Sequence, residues 1–422
     1  MVWSLLKPKT WRWGYMVSEA TSLPYDIVEH IIDVLAAEGD LTPVKNAALA
    51  SSSILHLCRK HIFRTITFNH GHGLLKQRFI SLLANNPDIV QYIRELSYEM
   101  HHHDAQLWPL LPNLLQTISH LECLRIRGAL SNPEGKLDWI DMDPLLRSAL
   151  LRLMYLPTLT HLDIERVRNL PISALALCIN IERLDIRYVT VTPFEDLGSN
   201  TTPSLQSSQT PRILHFRNDS SQTAVGRLLQ ARWRDGRSVL DFTHLKRLFL
   251  DFDMFEDVQV TQELFENVKH LEELLINVQV NTQSLAGLSE MISSNARNLR
   301  SLEVMSVFKS RRSHALMIGL CEELEALTGN NVLQFLKITF VMDGCESRTL
   351  VETAFGRLEE VLMDPGWSAL KCVSIEIHVR CCYRDARRLE LNSVPEVYLS
   401  RLSGRKILDY KGPDYIGSAG TP

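Results

Sequence analysis

Residues 245–276 read LKRLFLDFDMFEDVQVTQELFENVKHLEELLI. Leu245, Leu248 and Leu250 hold the first, fourth and sixth places of a short run, and Leu271, Leu274 and Ile276 repeat it 26 residues later. In a strand of this pattern the second and third apolar residues share one face, and an amphipathic segment such as 262–271 or 285–292 covers that face. One such unit buries too little to stand alone, so copies must stack.

The same triple recurs at Leu121-Leu124-Ile126, Leu159-Leu162-Ile164, Ile181-Leu184-Ile186, Leu299-Leu302-Val304 and Leu333-Leu336-Ile338. Weaker copies are Ile93-Leu96-Tyr98, Pro211-Leu214-Phe216 and Leu370-Val373-Ile375. Their starts lie 22 to 38 residues apart, room for a strand, a helix and connections. The expected fold class is α/β, a solenoid with a parallel sheet along one side. The array resembles an irregular leucine-rich-repeat domain. It should span residues 69–410, interrupted at about 195–212 by a flexible insertion rich in Ser, Thr, Gln and Pro. Residues 1–20 form an N-terminal extension, and 411–422 carry too little apolar content to pack and read as a disordered tail.

The spacing also predicts which side chains look out from the sheet. Glu99, Arg127, Glu165 and Arg187 fall on one row and form an alternating charge ladder, because neighbouring strands lie about 4.8 Å apart. Phe249, Leu275, Met305 and Phe335 put apolar groups outward in the later repeats, and such a patch rimmed by charge marks a partner site. These four are the expected client-binding residues.

Ahead of the repeats, residues 21–68 form a separate helical module. Leu23-Pro24 and Thr42-Pro43 supply helix starts, with the Thr42 hydroxyl as cap and proline in the first turn. Ile27, Val28, Ile31, Ile32, Val34 and Leu35 cover an arc of roughly 160°, wider than one packing partner needs. Ala47 to Ala50 region residues Ala47, Ala48, Leu49 and Ala50 allow close helix approach, and Ser51-Ser52-Ser53 break the chain before Ile54, Leu55, Leu57 and Cys58.

This stretch resembles the F-box, in particular F-box proteins of mushroom-forming fungi. The matching residues are Leu23-Pro24, Ile27, Ile31, Leu35, Leu41, Leu49-Ala50-Ser51 and Arg59-Lys60-His61-Ile62-Phe63; Ile54 and Ser52 stand where the family usually has tryptophan and often has arginine. The resemblance implies a non-catalytic substrate receptor of a Skp-cullin-F-box ubiquitin ligase. Its module would dock on a Skp-type adaptor, and through it a cullin, by Leu23, Pro24, Ile27, Ile31, Leu35 and Leu49, while the repeats hold a client protein. The alternative is a repeat scaffold or recognition protein whose N-terminal helices are only a cap.

Composition agrees with a globular binding protein. The chain has 422 residues, is 45% hydrophobic and 22% charged, and carries a formal net charge of −4, which argues against a general nucleic-acid binder. Lys7-Pro8-Lys9 breaks the N-terminal apolar run, and no stretch approaches the roughly 18 apolar residues that span a membrane. The chain therefore reads as intracellular, cytoplasmic or nuclear, with no membrane or nucleic-acid partner. The eight cysteines lack a C-x-x-C pair, so no zinc site is encoded, and they read as free, mostly buried thiols. Neither His70-Gly71-His72 nor His101-His102-His103-Asp104 makes a metal site, and no Walker loop, G-x-S-x-G elbow, H-E-x-x-H helix or dinucleotide fingerprint occurs. The expectation is no cofactor, no metal and no catalytic residue.

Overall fold

The computed structural model describes residues 23–68, 73–101, 104–129, 137–193, 210–219, 222–252, 258–279, 287–308, 313–329, 331–342, 348–379 and 393–415. The expected extension 1–20, His70–His72, His102–His103, most of the insertion at 195–212, Cys345, Cys381-Cys382 and residues 416–422 lie outside them. The chain divides into two compact units, Met1–Arg64 and Thr65–Pro422.

The first unit holds three helices, α1 (Tyr25–Ala37), α2 (Thr42–Ala50) and α3 (Leu55–Ile62). Pro24 stands one place before α1 as its N-cap, with φ −52° and ψ 143°, and its carbonyl accepts the N–H groups of Ile27 and Val28 at 3.1 Å. At α2 the expected Thr42 hydroxyl cap is absent, since Thr42 is already the first helical residue and the N-cap is Leu41; one place earlier, Asp40 Oδ1 accepts the Thr42 N–H at 2.9 Å. A carboxylate does this better than a hydroxyl because its charge also opposes the positive end of the helix dipole. Ile32, Val44, Leu57 and Cys58 form the core, and Val28, Leu35, Leu41, Ala47, Ala48 and Ile54 pack against it.

The second unit is mixed α/β and built on one long parallel sheet. Its described strands are β1 (Thr65–Phe68), β2 (Glu95–Met100), β3 (Cys123–Gly128), β4 (His161–Glu165), β5 (Arg183–Arg187), β6 (His215–Asp219), β7 (Arg247–Phe252), β8 (Glu273–Gln279), β9 (Ser301–Phe308), β10 (Phe335–Met342), β11 (Cys372–Val379) and β12 (Leu408–Tyr415). They are neighbours in chain order, and every pairing is parallel. Helices such as Pro144–Met154, Val258–Asn267 and Arg348–Leu362 carry the chain from one strand to the next.

The recurring triple explains this arrangement. Its first member is buried in the turn before each strand, as at Leu121, Leu159, Leu245 and Leu271, and the next two point inward from the strand, as Leu124 and Ile126 do. Each fully buried leucine or isoleucine contributes about 1.5–3 kcal/mol. A backbone device repeats with it: from β2 to β10, one carbonyl ahead of the strand accepts two successive N–H groups of the next unit. Glu122 O takes those of Thr160 and His161, and Lys246 O takes those of Glu272 and Glu273.

Three expectations need correction. The helical module ends before Thr65, because residues 65–68 form β1 and pair with β2. In β6 the register is two residues later than Pro211-Leu214-Phe216 implies. Ile213 donates to the Asp241 carbonyl and Asp241 to that of Pro211, both at 2.9 Å, so this segment is held elsewhere and the strand begins at His215. Phe216 then pairs with Leu184, and buried Asn218 takes the third inward place, which apolar counting could not have chosen. Residues 411–415, assigned to the tail, belong to β12 instead, where a backbone ladder with β11 needs little apolar content.

Candidate functional site

In the first unit, folding divides the six motif residues. Leu35 packs on the core, whereas Leu23, Ile27, Ile31 and Leu49 remain 61%, 44%, 43% and 74% exposed, and Pro24 is exposed as well. Ile27, Ile31 and Val34 are spaced four and three apart, which places them along one side of α1, and Leu23 precedes the helix by two residues. The opposite side, Val28, Ile32 and Leu35, faces the core. Polar contacts tie α1 to α3: Asp33 Oδ1 accepts from Lys60 Nζ at 3.3 Å and meets His61 Nε2 at 2.7 Å, and the Tyr25 ring lies parallel to that of His56. The module thus satisfies its own core and still exposes an apolar stripe.

On the sheet of the second unit the Arg127, Glu165 and Arg187 part of the expected charge ladder is paired, and Glu99 stands in register beside Arg127. Arg127 reaches Glu165 at 3.4 Å and Arg187 reaches the same carboxylate at 3.1 Å. Arg187 also donates to Asp163 at 2.8 and 2.9 Å. The corrected register of β6 extends the row with Asp219, beside Arg187. Asp163, Glu165 and Asp185 are buried despite lying on the outward rows, because arginines cover them. Burial works against the charge on Arg187, but hydrogen bonding to Asp163 outweighs it and raises its pKa further.

The four expected client residues are not brought together. Phe249 and Leu275 are register partners on β7 and β8, but the row continues through Glu303 and Lys337. Met305 lies on the row of Asn277 and Thr339, and Phe335, 48% exposed, on that of Ser301 and Cys372. Four residues of strand separate their rows, about 13 Å. Phe249 and Leu275 instead line a groove of about 260 Å³ with Arg183, His215, Arg217, Arg247, Glu273 and Glu303. Its polar rim is internally paired: Arg217 is bound to Asp219 at 2.9 Å with its guanidinium 4.1 Å from the Phe249 ring centre, and Arg247 reaches Glu273 at 2.8 Å.

Two constellations escaped sequence reading. At the start of the sheet, Lys76 and Asp104 form a buried ion pair at 3.3 Å. On β3, β4 and β5, Cys123, His161 and Asp185 form a relay: Cys123 Sγ lies 3.3 Å from His161 Nδ1, and His161 Nε2 lies 3.2 Å from Asp185 Oδ2. Register alone sets Cys123 beside His161, but Asp185 lies one row over, and only the rotamer of the imidazole joins the three. Cys58, Cys123, Cys178 and Cys321 are free buried thiols, and Cys372 is free and half-buried. Among the described residues no His, Cys, Asp or Glu cluster fits a metal ion, and no helix is long and apolar enough to cross a membrane. No protein-family model matches the chain, and no curated protein matches it significantly.

Proposed function

We propose that the chain is a substrate receptor of a Skp-cullin-F-box ubiquitin ligase. In this reading the N-terminal unit is an F-box, the second unit a leucine-rich-repeat solenoid, and the ubiquitin chemistry belongs to other subunits. One observation carries the proposal: a three-helix unit with a complete core leaves Leu23, Ile27, Ile31 and Leu49 exposed at the positions that resemble the adaptor-contacting motif. An apolar stripe retained after the core is filled is costly to display to water unless a partner covers it. The repeat unit contributes proximity, holding a client near a charged conjugating enzyme and so raising the effective concentration of its lysines. The groove beside Phe249 and Leu275 suits a client segment with an apolar side chain flanked by charge, since these two apolar side chains line it together with arginines and glutamates.

The test is co-purification of the full chain with a fungal Skp-type adaptor, with Ile31→Asp alongside. Because Ile31 faces solvent in the free module, the variant should keep its helical circular dichroism. It should lose binding about a hundredfold or more, since docking would bury an unpaired carboxylate. Failure of the wild-type chain to form a stoichiometric complex, or full binding by the variant, overturns the assignment.

A further inference from the structure

The outward rows of β3, β4 and β5 hold an arrangement that client binding does not require. Cys123 and His161 are direct register partners, and Asp185 is one row over on β5, within reach of the far side of the imidazole. A histidine between a thiol and a carboxylate, with a different ring nitrogen toward each, is the geometry that moves a proton off sulfur and holds it on the ring. The carboxylate is itself fixed, since Arg183 donates to Asp185 Oδ2 through Nε at 3.0 Å and through a terminal nitrogen at 2.8 Å. Glu95 stands in register on the other side of Cys123, paired with Arg125 at 4.0 Å, and Asp163, the other nearby carboxylate, is taken by Arg187. Burial of the His161 ring works against its charge, yet the hydrogen bonds to Asp185 and Cys123 outweigh it and raise its pKa to about 9. The ring therefore keeps its proton at neutral pH.

We propose that Cys123 is a reactive thiolate site, activated by His161 and Asp185, that is modified by small electrophiles of the hydroperoxide class. The thiolate sulfur attacks the terminal peroxide oxygen; the S–O bond forms as the O–O bond breaks. The departing hydroxide or alkoxide takes the Nδ1 proton of the His161 imidazolium and leaves as water or alcohol. Sulfur loses two electrons, the peroxide gains them, and Cys123 becomes a sulfenic acid. Acyl transfer is the poorer fit: the backbone N–H of Cys123 already donates to the Arg94 carbonyl at 3.0 Å and cannot stabilise an oxyanion. The other thiols supply internal controls. Burial raises the pKa of Cys58 and lifts that of Cys321 to about 12, and the Cys178 thiol donates to the Ala174 carbonyl at 3.1 Å. Cys372, though more exposed than Cys123, is flanked on β10 by Phe335, which offers no proton acceptor.

The experiment treats the full folded chain with hydrogen peroxide and a sulfenic-acid-selective dione, then maps every cysteine by mass spectrometry. A parallel series measures iodoacetamide alkylation of each cysteine from pH 5.5 to 9. Cys123 should carry the dione adduct ahead of Cys58, Cys178, Cys321 and Cys372, and its alkylation rate at pH 6 should exceed that of Cys372 by about tenfold or more despite its burial, because the His161 imidazole stands at its sulfur and Phe335 stands beside Cys372. His161→Gln should remove that advantage at pH 6 while leaving the Cys372 rate unchanged, which also reports that the sheet is intact; Asp185→Asn should lower it in the same direction. An alkylation profile of Cys123 that coincides with that of Cys372, or that His161→Gln does not move, overturns the proposal.

Discussion

Replacing Asp104 with Asn should cost about 3–5 kcal/mol, and the loss should be local. The Lys76 side chain is 3% exposed and that of Asp104 fully buried. Asp104 Oδ2 also accepts the Tyr98 hydroxyl at 2.5 Å and the His101 N–H at 3.0 Å, so one oxygen serves three donors. Lys76 Nζ lies 4.0 Å from the Trp108 ring centre and 4.8 Å from that of Tyr98. Burial lowers the Lys76 pKa, with Asp104 opposing the shift. An asparagine keeps an acceptor for Tyr98 but removes the counter-charge, and breaking a buried pair from one side costs about 3–5 kcal/mol. The alternative route, deprotonating a lysine of ordinary pKa about 10.4 at pH 7, costs about 4.6 kcal/mol and reaches the same size. Hydrogen exchange with mass-spectrometric readout should therefore show β1 and β2 losing protection by about a hundredfold to a thousandfold, with β8 to β10 unchanged, because stacked units stabilise mainly their neighbours. Lys76→Met added to Asp104→Asn should restore most of that protection by removing the stranded charge. The reasoning fails if Asp104→Asn leaves β1 and β2 unchanged, or if the double variant is no better protected than the single one.

The His161–Asp185 contact predicts a pH dependence of stability. The folded pKa of about 9 lies above the ordinary 6.5, so the contribution is complete below about pH 6.5 and is lost as pH rises through about 9. Its ceiling is about 3 kcal/mol, read as the urea-stability difference between wild type and His161→Gln from pH 6 to 10; a constant difference would refute it. At Gly128 an added Cβ would stand 2.3 Å from the Arg166 carbonyl oxygen, a backbone atom that also accepts the Leu137 N–H at 3.0 Å. Gly128→Ala should cost about 1–3 kcal/mol in thermal or chemical unfolding, and a neutral effect would mean that this backbone yields freely.

The repeating strand was legible because its signal is periodic and redundant: a wrong residue in one copy is outvoted by the others. The weakest copy shows the limit. At β6 the best apolar match, Pro211-Leu214-Phe216, lost to a register set by hydrogen bonds with Asp241, thirty residues away. The Arg127, Glu165 and Arg187 ladder was readable since register alone determines it. The relay of Cys123, His161 and Asp185 was not, because it crosses rows and depends on rotamers that turn an imidazole toward two strands at once. Lys76 and Asp104 lie 28 residues apart with no motif joining them, and only the packing of the Gly73–Asn85 helix makes them partners.

By itself the sequence determined that parallel strands stack in chain order, that a helical module precedes them, and that its first helix, with Ile27, Val28, Ile31, Ile32, Val34 and Leu35, carries more apolar surface than one partner covers. Periodicity suffices for this, since backbone geometry converts spacing into faces. Tertiary structure alone decided which half of that surface is core and which is free, where the sheet ends, and which charges and thiols meet. Those are contacts between residues distant in the chain, and no local pattern encodes a distance of three ångströms across strands.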